Sequence, residues 1–371
     1  MPLSLHPAPI PYDDRLEEIA PDEAETTEQL IQTLTEINQT TLKHEGHANR
    51  SVHAKSHALL VGELTIADDL PRELAQGIFA RPGRYPVVMR LSTVPGDILD
   101  DAVSTPRGMA VKIIGVEGER LPGSEGAVTQ DFVMVNGPAF KAADAKKFAS
   151  SLKLVAATTD RAERAKKALS AVLRGTERVI EAFGGKSSTL LALGGQPQTH
   201  PLGDTYYSQA PLRFGDYVVK VSVAPHSPNL TELTDASLPL QGRYDGLRDA
   251  MVEHFATQGG EWDLRVQFCT DLDTMPIEDA SVPWPEEKSP YLDVGRIVVW
   301  PQPAWNDARQ AAIDDGLAFS PWHGVQAHRP MGSVMRARRL AYRTMARFRA
   351  HHNGVAMNEP TSLADIGLDT P

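Results

Sequence analysis

The chain has 371 residues, 41% hydrophobic and 23% charged, a composition that allows a packed core and excludes a disordered or fibrous protein. Its 37 Lys and Arg against 48 Asp and Glu leave a net charge of −11, which argues against a general nucleic-acid or membrane-surface binder and favours small partners. The single cysteine, Cys269, excludes an internal disulfide and a cysteine-rich zinc module.

The N-terminus has no basic start followed by an apolar run, so it does not read as a secretion signal. No stretch approaches the ~18 apolar residues of a membrane span. The expected compartment is the cytoplasm, with no membrane partner. Residues 1–21 read as a Pro-rich, acidic, extended arm. Pro11 to Leu30 carry eight acids and one base, the pattern of a solvated segment. Leu30, Ile31, Leu34 and Ile37 recur at helical spacing and predict a helix over about 22–42.

Apolar runs bounded by turn residues then predict strands at His57–Ile66, Tyr85–Leu91, Gly108–Val116, Asp131–Val135, Tyr217–Val223, Leu264–Cys269 and Val294–Trp300. No helix alternates with them, which disfavours a doubly wound parallel sheet and favours an antiparallel sheet or barrel. Two helices are expected over 138–184 with a break near Thr158–Asp160, a third over 304–318 and a fourth over 330–352. The long loops 185–211 and 272–293 suggest function or wrapping around a neighbour.

Four local features carry chemistry. Arg50, Val52, His53, Ala54 and Lys55 precede the first strand, and an imidazole there can act as acid and base near neutrality. The bland reading is an ordinary surface or core histidine. Arg90, Ser92, Thr93 and Val94 end the second strand, where a simple strand end explains them equally. Asn136-Gly137-Pro138 is turn chemistry first, and a catalytic amide second. Arg338 and Tyr342 are four apart and share a helix face. A guanidinium beside a phenol favours the phenolate, an anionic ligand for ferric iron. A solvated basic helix or a nucleic-acid patch are the competing readings, since no acid occurs from Pro330 to Asn358.

Taken in order, these segments resemble the haem catalase superfamily. Arg50-x-Val52-His53-Ala54-Lys55 resembles its distal-histidine motif, and Arg90-x-Ser92-Thr93-Val94 its second motif with Leu91 in place of Phe. Arg107-Gly108-x-Ala110-x-Lys112, Asn136-x-Pro138-x-Phe140, Val294-Gly295-Arg296, Leu317 to Pro321 and Arg338-x-x-Ala341-Tyr342 are similar to further family segments. The chain looks most like the small bacterial catalase-related peroxidases. The resemblance implies an α+β fold, an antiparallel eight-stranded β-barrel with surrounding helices and haem b enclosed at the barrel. It implies an arm and helix over 1–43, the haem domain over 44–352 and a tail over 353–371.

The resemblance also assigns roles. His53 is the distal acid and base, Ser92 orients its imidazole, and Asn136 positions the peroxide. Tyr342 binds iron as phenolate with Arg338 as its partner. Arg50, Arg90 and either Arg296 or another arginine face the haem propionates, and Val52 lies in the cofactor-binding motif. Lys141 and Tyr217 depart from the family, Tyr217 standing where many catalases have a histidine that supports the proximal arginine. The expected activity is a peroxidase reducing hydrogen peroxide or organic hydroperoxides with a small organic donor, with some catalase activity. The alternatives are a lipid hydroperoxide isomerase or lyase on the same fold, or a non-catalytic haem-binding protein. A homo-oligomer is expected. His323, His328, His351 and His352 are expected at the surface.

Overall fold

The computed structural model describes residues 7–158 and 196–368. Nine strands form one antiparallel sheet: β1 (Ser56–Ile66), β2 (Gly83–Thr93), β3 (Arg107–Ile114), β4 (Thr129–Val135), β5 (Tyr206–Tyr207), β6 (Leu212–Phe214), β7 (Tyr217–Pro225), β8 (Gly260–Phe268) and β9 (Leu292–Val299). β5 pairs with both β4 and β7, which closes a ring of eight strands. β6 runs along the same edge of β7 as β5 does, beyond a kink at Gln209 with φ of 63°. The eight-stranded barrel is therefore as expected, with one strand in two short pieces.

Alternation along the strands decides what fills the barrel. Leu60, Leu64, Val87, Met89, Val111 and Ile113 belong to the large internal core. Their neighbours Leu59, Val61, Val88, Ala110 and Ile114 form a second cluster with Ile313, Leu317, Phe319 and Leu363. β1 is thus buried on both faces, which explains its continuous apolar run.

Four longer helices accompany the barrel: α1 (Glu23–Glu45), α2 (Ala145–Thr158), α3 (Gly246–Phe255) and α4 (Ser333–Asn353). Leu30 and Leu34 of α1, Ala145 and Ala149 of α2, and Ala337 and Ala341 of α4 pack into one cluster. The expected helix over 304–318 is a short turn, Asp307–Arg309, running into a π-helical turn, Gln310–Asp315. α3 was not expected, because it is only ten residues long and opens at a glycine. The second helix expected within 138–184 lies outside the described residues, as does the start of the 185–211 loop. Among the described residues no helix is long and apolar enough to cross a membrane.

The acidic N-terminal segment is docked at Glu17 and Glu23, while Asp14, Glu18, Glu25 and Glu28 are exposed as expected. Glu17 accepts from the backbone N–H of Gly332 and pairs with Arg329, and Glu278 accepts from the N–H of Ser333. These carboxylates sit at the positive end of α4, which lacks a side-chain cap of its own. Glu17, Glu23 and Glu278 also hold Arg336. Glu17 and Glu23 thus position α4.

Two of the histidines are not at the surface. His328 is buried among Phe79, Phe132 and Phe214, accepts from the N–H of Ile78, and burial pushes its pKa down to about 3. His323 joins a buried cluster in which Lys112 Nζ donates to Asp131 at 2.7 Å and to Glu359 at 2.6 Å. Asp131, His323 and Glu359 have the spacing of a cation site, and the Lys112 ammonium fills it. This cluster fastens the C-terminal segment to β3 and β4. Burial opposes the charge on His323, but hydrogen bonds to Asp131 and Glu359 outweigh it and raise its pKa to about 9.

Replacing Lys112→Met strands a fully buried Asp131 carboxylate. A loss of about 3–5 kcal/mol in urea unfolding is expected, and an unchanged midpoint would contradict the arrangement. The His323 contribution has the opposite pH sense from a paired carboxylate. Its folded pKa lies above the unfolded 6.5, so its stabilisation is complete below that value and is lost as pH rises through about 9. The stability difference between the wild type and His323→Gln should therefore shrink between pH 6.5 and 9.5.

Candidate functional site

The first two strands and the segment between α1 and β1 build the site. β2 and β3 pair in a register that puts Ser92 opposite Gly108. His53 lies just before β1, with its N–H donating to Val94 O and a backbone φ of 58°. That left-handed conformation is costly for a residue with a side chain. Arg90 holds it in place, donating through Nη2 to the carbonyls of His53 at 2.8 Å and Ala54 at 3.1 Å.

The His53 ring lies against the Gly108 backbone, where a Cβ would come within 2.5 Å of both Nδ1 and Cε1. Only glycine leaves room for the imidazole. Ser92 Oγ is 3.1 Å from Nδ1. With the proton on Nδ1 donated to Ser92, Nε2 is left as the basic nitrogen. Burial first, then the charges of Arg90, Arg338, Lys141 and Arg50, push the His53 pKa down to about 3. The imidazole is therefore neutral across the physiological range.

Arg338 and Tyr342 lie on α4, and Arg338 Nη2 donates to Tyr342 Oη at 2.5 Å. The guanidinium also stands over the phenol ring, 4.9 Å from its centre. Tyr217 takes no part in this pair; its ring packs against Phe268, and the other partner of Arg338 is Met335 Sδ.

His53 and Tyr342 border the same two cavities, together with Leu34, Val52 and Val133. The first, of about 100 Å³ and partly open to solvent, reaches Arg50, Arg90 and Arg349. The second, of about 180 Å³ and also partly open, reaches Asn136, Phe140, Lys141 and Gln209.

The arginine end converges on Asp314. Its Oδ1 accepts from Arg50 Nη1 at 2.8 Å and Arg90 Nε at 2.5 Å, and Ser56 Oγ donates to Oδ2. Arg349 donates to the carbonyls of Asp314 and Leu317. Burial would raise the Asp314 pKa, but Arg90 and Arg50 hold it at about 2. Burial, Arg349 and Arg90 in turn depress the Arg50 guanidinium. Three guanidiniums thus border one cavity with the buried Asp314 carboxylate among them; Asp315, whose charge also acts on Arg50 and Arg349, is hydrogen-bonded to His47. The guanidiniums outnumber the carboxylates around them.

Asn136 is more committed than its motif suggests. Its Oδ1 accepts from Arg107 N at 2.7 Å and its Nδ2 donates to Asp204 at 3.0 Å, leaving one amide hydrogen for the second cavity. Gln209 holds the following turn by donating to Gly137 O and Ala139 O. Arg296 is absent from both cavities and pairs with Asp263 and Glu261 on β8. Arg349, seven residues beyond Tyr342 and hence two turns along the same face of α4, borders the first cavity beside Arg50 and Arg90. Asp314 left no signal in the sequence.

Replacing Gly108→Ala tests the ring seat. The new methyl forces the imidazole off Ser92, which should displace its ring resonances in an NMR titration. An unshifted titration would mean that the ring is not seated there.

Residues 11–170 match the family model described as Catalase. Three solved structures share the fold: a fungal catalase (22% identity, TM-score 0.59), catalase A from Saccharomyces cerevisiae (21%, 0.58) and a bacterial catalase (16%, 0.56). They are matched over 84%, 84% and 97% of this chain and over 61%, 63% and 66% of their own. The chain thus spans less than two thirds of each. A sequence comparison with curated proteins gives no match. Residues 11–170 are thus similar to the Catalase family model, and the barrel and its helices have the fold of the catalase structures.

Proposed function

We propose that this chain is a haem-dependent peroxidase, reducing hydrogen peroxide or organic hydroperoxides at the expense of a small organic donor, with some catalase activity. The observation that carries the reading is the chamber between His53 and the Arg338–Tyr342 pair, bordered by three guanidiniums. Its lining suits a flat macrocycle with two carboxylates. Val52, Val133, Met134 and Phe319 offer apolar walls, Arg50, Arg90 and Arg349 offer positive charge, and Tyr342 offers a phenolic oxygen. Haem b bound there supplies the iron and the redox chemistry of O–O cleavage.

The protein's own groups move the proton. Neutral His53 takes the proton from one peroxide oxygen at Nε2 and returns it to the other, so the leaving group departs as water or an alcohol. Ser92 holds the ring in the tautomer this requires. The free amide hydrogen of Asn136 orients the peroxide. Arg338 donates to the Tyr342 oxygen and so stabilises negative charge on it. The net reaction consumes one hydroperoxide, two donor electrons and two protons, and yields an alcohol (or water) and water. The second cavity is roomy enough for molecules larger than hydrogen peroxide, which favours peroxidase over dismutase.

An absorption spectrum of the purified protein before and after peroxide is the first test. A Soret band of tyrosinate-ligated ferric type, altered by peroxide, is expected. Absence of haem binding after reconstitution with haemin would overturn the proposal. His53→Ala should keep the haem and slow the peroxide reaction by roughly 10²–10⁴-fold; an undiminished rate would reassign the base. The wild-type rate should stay level through pH 6.5 and fall only in more acidic solution, as His53 becomes protonated.

A further inference from the structure

We infer that the arginine-lined cavity along the exposed face of α4 is the donor site, and that it takes a planar phenolic acid, a phenol carrying a carboxylate. The inference rests on the peroxidase reading and names its electron donor.

A third cavity, of about 550 Å³ and partly open to solvent, is bordered by α4 and by residues 318–323. It is larger than either cavity at His53 and falls within the ~300–1,000 Å³ of ordinary small-molecule sites. Arg339, Arg343 and Arg347 border it. They are four residues apart and so share one helix face, in a row about 12 Å long.

All three guanidiniums are exposed, and none has an ion pair or a hydrogen bond among the described residues. The sequence explains why. No acid occurs from Pro330 to Asn358, so α4 supplies no carboxylate one turn away to neutralise the row. The other charged groups on the wall are already taken. Arg336 is held by Glu17, Glu23 and Glu278, and Glu359 by Lys112 and His323. Glu125 lies within electrostatic reach of Arg339 and Arg343, but it does not border the cavity and its oxygens accept from the N–H of Gly123. A row of unpaired cations along a concave wall selects an anion.

The remaining lining selects a flat one. The buried Trp322 is fixed by its Nε1, which donates to Met335 O at 2.7 Å, and Arg339 stands 5.2 Å from its ring centre. Phe319 and Leu340 add apolar wall. An aromatic ring packs on such a surface and stacks on guanidinium planes. The row would also attract a nucleic acid, but a small concave site fits single rings, and the net charge of −11 repels a polyanion.

The position suits a donor. Ala318, Phe319, Tyr342 and Ala346 border both this cavity and the first. One layer of side chains therefore separates a molecule bound here from the chamber proposed for the haem, and Tyr342 belongs to that layer. The donor reaches this place without passing His53. Two phenols bound in succession each lose one electron and the hydroxyl proton. Together they supply the two electrons and two protons that turn one hydroperoxide into an alcohol and water, and they leave as phenoxyl radicals.

The test uses the full-length, haem-loaded protein and two donors of one skeleton, anionic ferulate and neutral methyl ferulate. Selectivity for the anion is the ratio of the two kcat/KM values. It should fall about threefold in Arg343→Gln and about tenfold in Arg343→Gln/Arg347→Gln, through KM. Arg343→Lys/Arg347→Lys should retain most of it. The reaction with hydrogen peroxide before donor is added should be unchanged in all three. Ferulate affinity, measured by equilibrium dialysis without peroxide, should weaken by similar factors and fall with added salt. An unchanged ratio together with unchanged ferulate affinity would overturn the donor site. So would Arg343-dependent binding of duplex DNA by a protein that does not bind ferulate. If the wild type oxidises neither donor while ferulate affinity still depends on Arg343 and Arg347, the peroxidase reading fails and the phenolic-acid site stands.

Discussion

The site depends on the carboxylate of Asp314. It receives Arg90 from β2, Arg50 from the segment before β1 and Ser56 from the start of β1, while its backbone carbonyl receives Arg349 from α4. The groups it gathers come from chain segments more than 200 residues apart. A buried carboxylate is expensive to desolvate, and here charge-assisted hydrogen bonds offset the cost. Arg90 then has a second hand free for the carbonyls of His53 and Ala54. The strained backbone of His53 is therefore held by a chain of contacts that starts at Asp314. Strain kept this way preorganises the imidazole, which does not have to find its place when a substrate arrives.

Three guanidiniums border the first cavity, and the carboxylates of Asp314 and Asp315 that act on them are fewer. Like charges in a poorly solvated site repel, as the depressed Arg50 guanidinium records. A ligand with two negative charges relieves this and an uncharged one of the same shape does not. At the far side of the chamber the polarity is reversed in kind. There the walls are apolar, and Lys141 and Arg338 are the cations that border them.

Much of this was legible in the sequence, for definite reasons. The strands of the barrel read as strands because runs such as Ala58–Val61 are buried on both faces. β5 and β6 did not, because two and three residues either side of a kink at Gln209 carry no period. Arg338 and Tyr342 were visible as a pair because four residues on a helix bring side chains together. Ser92 and His53 were visible only through the family resemblance, since 39 residues separate them. Asp314 was invisible because its partners, Arg90 and Arg50, lie 224 and 264 residues away. Arg349 could have been found from its spacing to Tyr342. Glu17 and Glu23 were not told apart from the exposed acids around them, because an acidic run looks the same whether it meets water or a distant Arg336.

The depressed basicity of His53 is part of how the site works. A base surrounded by Arg90, Arg338, Lys141 and Arg50 holds a proton weakly, so it gives one up readily to a departing oxygen. The same positive field lowers the cost of ionising a hydroperoxide beside it, which compensates for the weak base in the first half of the reaction. The balance moves with occupancy. Negative charge bound beside Arg50 and Arg90 would cancel part of this field and make His53 a better base, without any change in the fold.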